Sequence, residues 1–254
     1  MIRKNRNVDL FSLPKKNSDI KDIVHSMKSH NDFKKLFKIS GTTAIVIVLI
    51  IPIQILIFII WPPPDNALSY FLLFQKNWIL GLLSLDLLYI VNNLFLAFVY
   101  LGLYAALKHA NQTYTSIALM LGLIGITTYY SSTAAFEMLS LSNQYTFANT
   151  AEAKLQYLAS GQTMLSIYKG TAFNVYYILN AIALLIFSSV MRRDDTFSKA
   201  TGIWGLASGI LMLIPTTAGT IGLIFGIASL IPWTVFSILT ALRFFKLSRE
   251  KPVE

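Results

Sequence analysis

ISGTTAIVIVLIIPIQILIFIIWPPP, residues 39–64, decides the fold. Residues 39–61 contain no Lys, Arg, Asp or Glu. A helix needs about 20 mostly apolar residues to cross the hydrocarbon core of a bilayer. Trp61-Pro62-Pro63-Pro64 then stops it, because proline lacks an N–H and its ring clashes with the preceding turn. The run does not read as a cleaved secretion signal. Thirty-eight hydrophilic residues precede it and no small-residue cleavage site follows.

The same pattern recurs downstream. Apolar stretches at about 79–106, 116–139, 172–191, 199–217 and 220–243 give six spans in all. The composition agrees. The 254 residues are 55% hydrophobic and 13% charged. Soluble domains carry about 25% charged residues. Residues 1–38 hold fourteen of the 33 charged side chains. This excludes a soluble globular enzyme and a disordered chain. The reading is an all-α polytopic membrane protein, a bundle of six transmembrane helices at residues 39–243. A basic arm (1–38) precedes it and a short tail (244–254) follows.

Orientation follows from charge. With the N-terminus cytoplasmic, the cytoplasmic segments carry 18 Lys/Arg and the outer loops only Lys76, Lys154 and Lys169. The positive-inside rule therefore places both termini in the cytoplasm of a multi-pass plasma-membrane protein. The net charge of +9 reads as flanking charge and contact with anionic lipid, not as a nucleic-acid surface. In the arm, Ile20, Ile23, Val24 and Met27 follow helical spacing, and Lys21, Lys28 and Lys35 recur along one flank. An amphipathic helix against anionic headgroups fits this pattern, and so does a solvated anchor. The outer stretch 150–169 is too polar to span. Leu155, Leu158, Leu165 and Tyr168 suggest a helix there, either a lid or an extension of the fourth span.

The chain has no cysteine, which excludes disulfides and thiolate chemistry. His25, His30 and His109 lie outside the apolar runs, so neither metal nor cofactor is expected. There is no HExxH, P-loop or GxSxG motif. Two carboxylates fall within the spans, Asp86 and Glu137. A charge at mid-bilayer costs about 2.5–3.5 kcal/mol on insertion scales, so such residues face a bundle interior or a wet cavity. Tyr89, Asn93, Tyr100 and Tyr104 share a helix face with Asp86. Tyr130 and Glu137 stand on the third span, and Asn174, Tyr177 and Asn180 on the fourth, with Tyr176 beside them. Depth counted from Trp78, Ser140 and Ala172 by the rise of an α-helix puts Asp86, Tyr130 and Asn180 in one layer. Glu137 and Asn174 then lie nearer the outer mouth. The expectation is an outward-opening pocket made by Asp86, Tyr89, Asn93, Tyr130, Glu137, Asn174, Tyr177 and Asn180. The alternative is hydrogen-bonded glue between helices.

GLASGILMLIP (205–215) and GLIFGIASLIP (222–232) share seven of eleven positions. Gly205, Gly209, Gly222 and Gly226 are small residues at i, i+4 that permit close helix approach, in a hairpin or in a homo-oligomer face. SSTAAFEMLSLS (131–142), GTAFNVYY (170–177) and this IP-containing pair resemble a prokaryotic six-helix membrane family, the domain of unknown function numbered 4386. The resemblance covers the chain from about residue 39. It implies the fold and carries no activity. Three functions stay open. The favoured one is binding or movement of a small molecule or ion near Asp86. The others are a membrane-embedded enzyme acting on lipid and a structural or accessory subunit.

The charge asymmetry makes topology testable. Reporter fusions after residues 110, 195 and 254 should read cytoplasmic, and fusions near 68 and 155 external. A cytoplasmic signal at 155 contradicts six spans.

Overall fold

The computed structural model describes residues 16–168 and 170–250, with side chains from Phe33 onward except at 169. These residues form ten helices and no strand. They are α1 (Lys16–Ile60), α2 (Ala67–Lys76), α3 (Trp78–Ser84), α4 (Leu87–Leu107), α5 (Gln112–Ser132), α6 (Ala135–Phe147), α7 (Ala151–Tyr168), α8 (Thr171–Met191), α9 (Lys199–Leu211) and α10 (Gly219–Leu247). Five stretches are long and apolar enough to cross a membrane: Phe33–Ile60, Leu87–Leu107, Gln112–Phe147, Ala151–Met191 and Gly219–Leu247. This is the pattern of a polytopic helical membrane protein.

Four features differ from the sequence reading. The first span has no boundary at residue 39, because α1 runs unbroken from Lys16. The side chains of Ile20, Lys21, Ile23, Val24, Met27 and Lys28, on which the amphipathic reading rests, lie outside the described residues. So do residues 1–15 and 251–254 of the arm and tail. The second span is two helices, α3 and α4, separated at Leu85–Asp86. The third is interrupted at Thr133–Ala134, between α5 and α6. The fifth is α9, a helix of only 13 residues. At the α-helical rise it is about 20 Å long, short of the hydrocarbon thickness. Residues 212–218 after it form turns around Pro215.

Helix starts follow short polar caps. Asn66, Asn77, Asn111 and Ser198 accept from the backbone N–H groups of Ser69, Leu80, Tyr114 and Thr201, at 3.0–3.1 Å. The bundle α1, α4, α5, α8 and α10 closes on an aromatic and aliphatic core that includes Tyr100, Leu103, Leu184, Phe187, Phe236 and Phe244. A second apolar cluster joins α2, α3 and α6 through Phe71, Phe74, Leu85 and Met138, with Leu158, Leu165 and Tyr168 of α7 packed against it. These four helices cap the end of the bundle where α1 stops and α4 begins. Aliphatic residues also cover the outside: Leu49, Ile53, Ile59, Ile227 and Ile231 are exposed. A soluble protein would not present that surface.

At the opposite end the loops are tied together. His109 meets Asp194 at 3.2 Å, and Arg243 donates to the Thr196 carbonyl and pairs with Glu250 at 2.8 Å. Burial works against the charge of Asp194, but hydrogen bonds from Thr196 and the nearby His109 outweigh it and hold the carboxyl below its usual range. That contribution is present above the ordinary carboxylate pKa and is lost as pH falls through the lower folded value.

Gly205, Gly209, Gly222 and Gly226 are all buried. The α9 pair packs chiefly on α8 and not on the α10 pair. A Cβ at Gly209 would lie 2.8 Å from the Leu185 side chain, and one at Gly205 2.9 Å from Phe236 of α10. Gly222 and Gly226 face Pro215 and Thr216 of the 212–218 turn.

Because these contacts leave no room for a side chain, Gly209→Leu should lower thermal stability in detergent by about 1–3 kcal/mol, the usual cost of overpacking. An unchanged unfolding temperature would show that α9 and α8 do not approach this closely.

Candidate functional site

The site begins with a broken helix. Asp86 has φ 63° and ψ 29°, and it is the one non-glycine residue with positive φ among the described residues. Asp tolerates the left-handed region better than most residues. Its carbonyl still accepts from the N–H groups of Tyr89 (2.9 Å) and Ile90 (3.1 Å), which starts α4. Its side chain makes no capping bond. The carboxylate instead sits at the N-terminal end of α4, where the helix dipole favours negative charge, and it accepts from the Tyr168 hydroxyl of α7. The break also frees carbonyls at the end of α3. Gln54, 1% exposed in the apolar run of α1, donates to the Leu83 carbonyl at 3.1 Å.

Below this break lies a half-open cavity of about 660 Å³, within the usual range for small-molecule sites. Its two walls differ in chemistry. Asp86, Tyr89, Asn92, Tyr129, Tyr168, Tyr176, Tyr177 and Asn180 come from the α3–α4 break, α4, α5, α7 and α8. Thr216 and Thr217 of the turn and Ser229 of α10 add hydroxyls. Ile51 and Phe58 of α1, with Leu223, Ile227, Leu230 and Trp233 of α10, make the facing wall mainly apolar, while Leu96 of α4 and Phe173 of α8 are the apolar members of the first wall. At the deep end Asn180 accepts from the Tyr100 hydroxyl at 2.6 Å and donates to the Tyr176 carbonyl at 2.9 Å. The Tyr129 and Tyr176 rings touch, with centroids 4.8 Å apart. Of the seven buried side-chain polar atoms without a hydrogen-bond partner among the described residues, two belong to residues of the cavity wall: the Asn92 side-chain oxygen and the Tyr129 hydroxyl.

The eight residues expected at the pocket divide evenly. Asp86, Tyr89, Tyr177 and Asn180 line the cavity. Asn93, Tyr130, Glu137 and Asn174 do not. Asn93 is fully buried and donates to the Tyr89 carbonyl. The α4 stripe that lines the cavity is Tyr89, Asn92, Leu96 and Tyr100, so Tyr89 and Tyr100 of the expected face are there and Asn92 and Leu96 stand in place of Asn93 and Tyr104. Tyr130 is 37% exposed and donates to the Ile90 carbonyl. Glu137 is exposed in the first turn of α6. Asn174 stands just behind the wall and accepts from Thr217. The shared layer also fails. Asn180 pairs with Tyr100, four helical turns along α4 from Asp86, which is about 20 Å at the α-helical rise. The depth count treated Trp78 and Ala172 as level, but α3 belongs to the cap.

Sequence reasoning passed over Asn92, Tyr129 and Trp233 as contributors. It placed Tyr168 only on the outer helix. It also left Gln54 unremarked, although a lone amide in a run of isoleucines needs a reason.

The cap, the amphipathic cavity and the apolar exterior define a class, a helical membrane bundle built around a ligand-sized internal space. The sequence profile described as "Domain of unknown function (DUF4386)" matches residues 39–245, and the chain belongs to that family. The match begins at the first residue of the apolar run and leaves out the basic arm. No curated protein and no solved structure matches the chain.

Proposed function

We propose that this protein binds a small molecule in the cavity between α1, α4, α5, α8 and α10 and carries it through the membrane. The observation behind the proposal is one cavity that joins the Asp86–Tyr168 contact at its capped end to the Tyr100–Asn180 pair at its deep end. Glu137, the other carboxylate within the spans, points away on the exposed face of α6 and forms no acid/base pair with Asp86.

The proposed topology has six crossings with both termini in the cytoplasm of a plasma membrane. Its fifth crossing is α9 followed by the turn at 212–218. Non-helical backbone at membrane depth is tolerated where it lines a cavity, and Met212, Thr216 and Thr217 line this one. Interrupted helices beside a central site are a recurrent arrangement in transporters. On this reading α7 is an outer lid, and its last residue, Tyr168, latches onto Asp86.

The test is a thermal-shift screen of the purified protein against small polar molecules, cations and single-chain amphiphiles at two pH values. At least one compound should raise the unfolding temperature, and Asp86→Asn should fold yet lose that shift. A hit that stabilises Asp86→Asn and the parent equally would contradict a role for Asp86 in binding. No stabilising compound in any of the three classes would contradict the pocket.

A further inference from the structure

The two cavity walls differ in polarity, and the position of the mouth adds to that difference. Leu223 and Ile227 line the cavity yet are 53% and 60% exposed. The cavity therefore reaches the outer surface of the bundle along α10. The surface there is aliphatic: Ile224 and Ile231 of α10, and Leu56, Ile59 and Ile60 of α1, are exposed.

Helix pairing explains the gap. Toward the base, α1 and α10 pack closely. Phe37 stacks on Phe244 with centroids 5.9 Å apart, and a Cβ at Gly41 would lie 3.0 Å from Phe245 and 3.3 Å from the Ala241 carbonyl. Eleven residues outward from Gly41 is Pro52, and eleven outward from Arg243, midway between Ala241 and Phe245, is Pro232. The two prolines thus stand level on neighbouring antiparallel helices. Each removes a backbone hydrogen bond and weakens the straight course of its helix. Beyond that level the two helices enclose the cavity, through Phe58 on one side and Leu223 on the other.

From this we infer that the ligand is a single-chain amphiphile that enters from the bilayer between α1 and α10. Its chain lies along Phe58, Leu223, Ile227 and Leu230. Its head lies at the polar wall beside Asn92 and Tyr129, whose side-chain oxygen and hydroxyl are buried without partners among the described residues and turn toward the head when it binds. Burial without a partner is costly for both groups, and a hydroxyl or amide head supplies one. A wholly polar solute would leave the α1–α10 wall facing polar atoms, and a plain alkane would leave Asn92 unsatisfied. The inference rests on the cavity being a binding site, and it adds the chemical class of the ligand and its route.

Trp233 lies in the apolar wall, which gives a direct reporter. The probe is a monoacylglycerol brominated at mid-chain, since bromine quenches tryptophan on contact. The protein carries Trp61→Phe, Trp78→Phe and Trp204→Phe, keeping Trp233 alone, and sits in nanodiscs of unbrominated phospholipid. Quenching should saturate and be reversed by excess unbrominated monoacylglycerol. Asn92→Leu should raise the half-saturating probe level about tenfold, the worth of one hydrogen bond. Leu230→Phe, which narrows the apolar end without touching the head site, should also weaken quenching. Quenching that excess competitor does not reverse, or that brominated phosphatidylcholine matches, reports ordinary lipid contact and overturns the inference. A polar compound that stabilises the protein in the thermal-shift screen without any competable quenching overturns the amphiphile while leaving the pocket standing. Failure of both experiments removes the pocket itself.

Discussion

The structure depends on one constraint: in an apolar bundle, every interruption of a helix must find new partners for the polar groups it releases. The break at Leu85–Asp86 is where this weighs most. A left-handed aspartate ends α3 and starts α4. Gln54 reaches across from α1 to the Leu83 carbonyl, and Tyr168 reaches down from α7 to the carboxylate. Three distant parts of the chain thus converge on one break. The cap is fixed to the bundle there, and the cavity begins directly beneath.

The remaining geometry follows from how closely helices pack on either side of the cavity. Gly122 lets the Tyr100 ring lie against α5, where a Cβ would sit 2.5 Å away. Gly125 does the same for Asn180. α5 and α8 therefore pack tightly, with the Tyr100–Asn180 hydrogen bond at the floor of the cavity. On the opposite side α1 and α10 pack closely at their base, and beyond their prolines both line the cavity. The result is a space with a largely polar wall toward α4, α5 and α8 and a largely apolar wall toward α1 and α10.

Much of this was legible in the sequence, and the reason is local. The uncharged run at 39–61 needs no partner to declare itself a span. A carboxylate inside such a run needs a reason to be there, so Asp86 stood out. The family assignment followed from motifs in the same apolar segments. What was not legible depends on tertiary context. Nothing near Leu85–Asp86 in sequence announces a helix break, since its stabilising partners Gln54 and Tyr168 stand far along the chain on either side. Once α3 is assigned to the cap, depth counted from Trp78 no longer matches depth counted from Ala172. Asn92 and Asn93 are adjacent and both buried, and periodicity alone could not tell which one faces the cavity. Tyr130 and Glu137 looked equivalent to cavity residues by type, but the rotation of α5 and the turn into α6 send them outward.

The central claim is that a solvent- or ligand-filled space lies against one stripe of α4. The absence of native cysteine makes cysteine scanning along that helix the most direct measurement. With a small thiol reagent in detergent, cysteines placed at Asn92 and Leu96 should label readily, and excess of a stabilising ligand should protect them. A cysteine at Asn93, fully buried against the bundle, should stay unreactive until the protein unfolds. Labelling at Asn93 that equals or exceeds labelling at Asn92 would place the cavity on the wrong face of α4 and contradict the account.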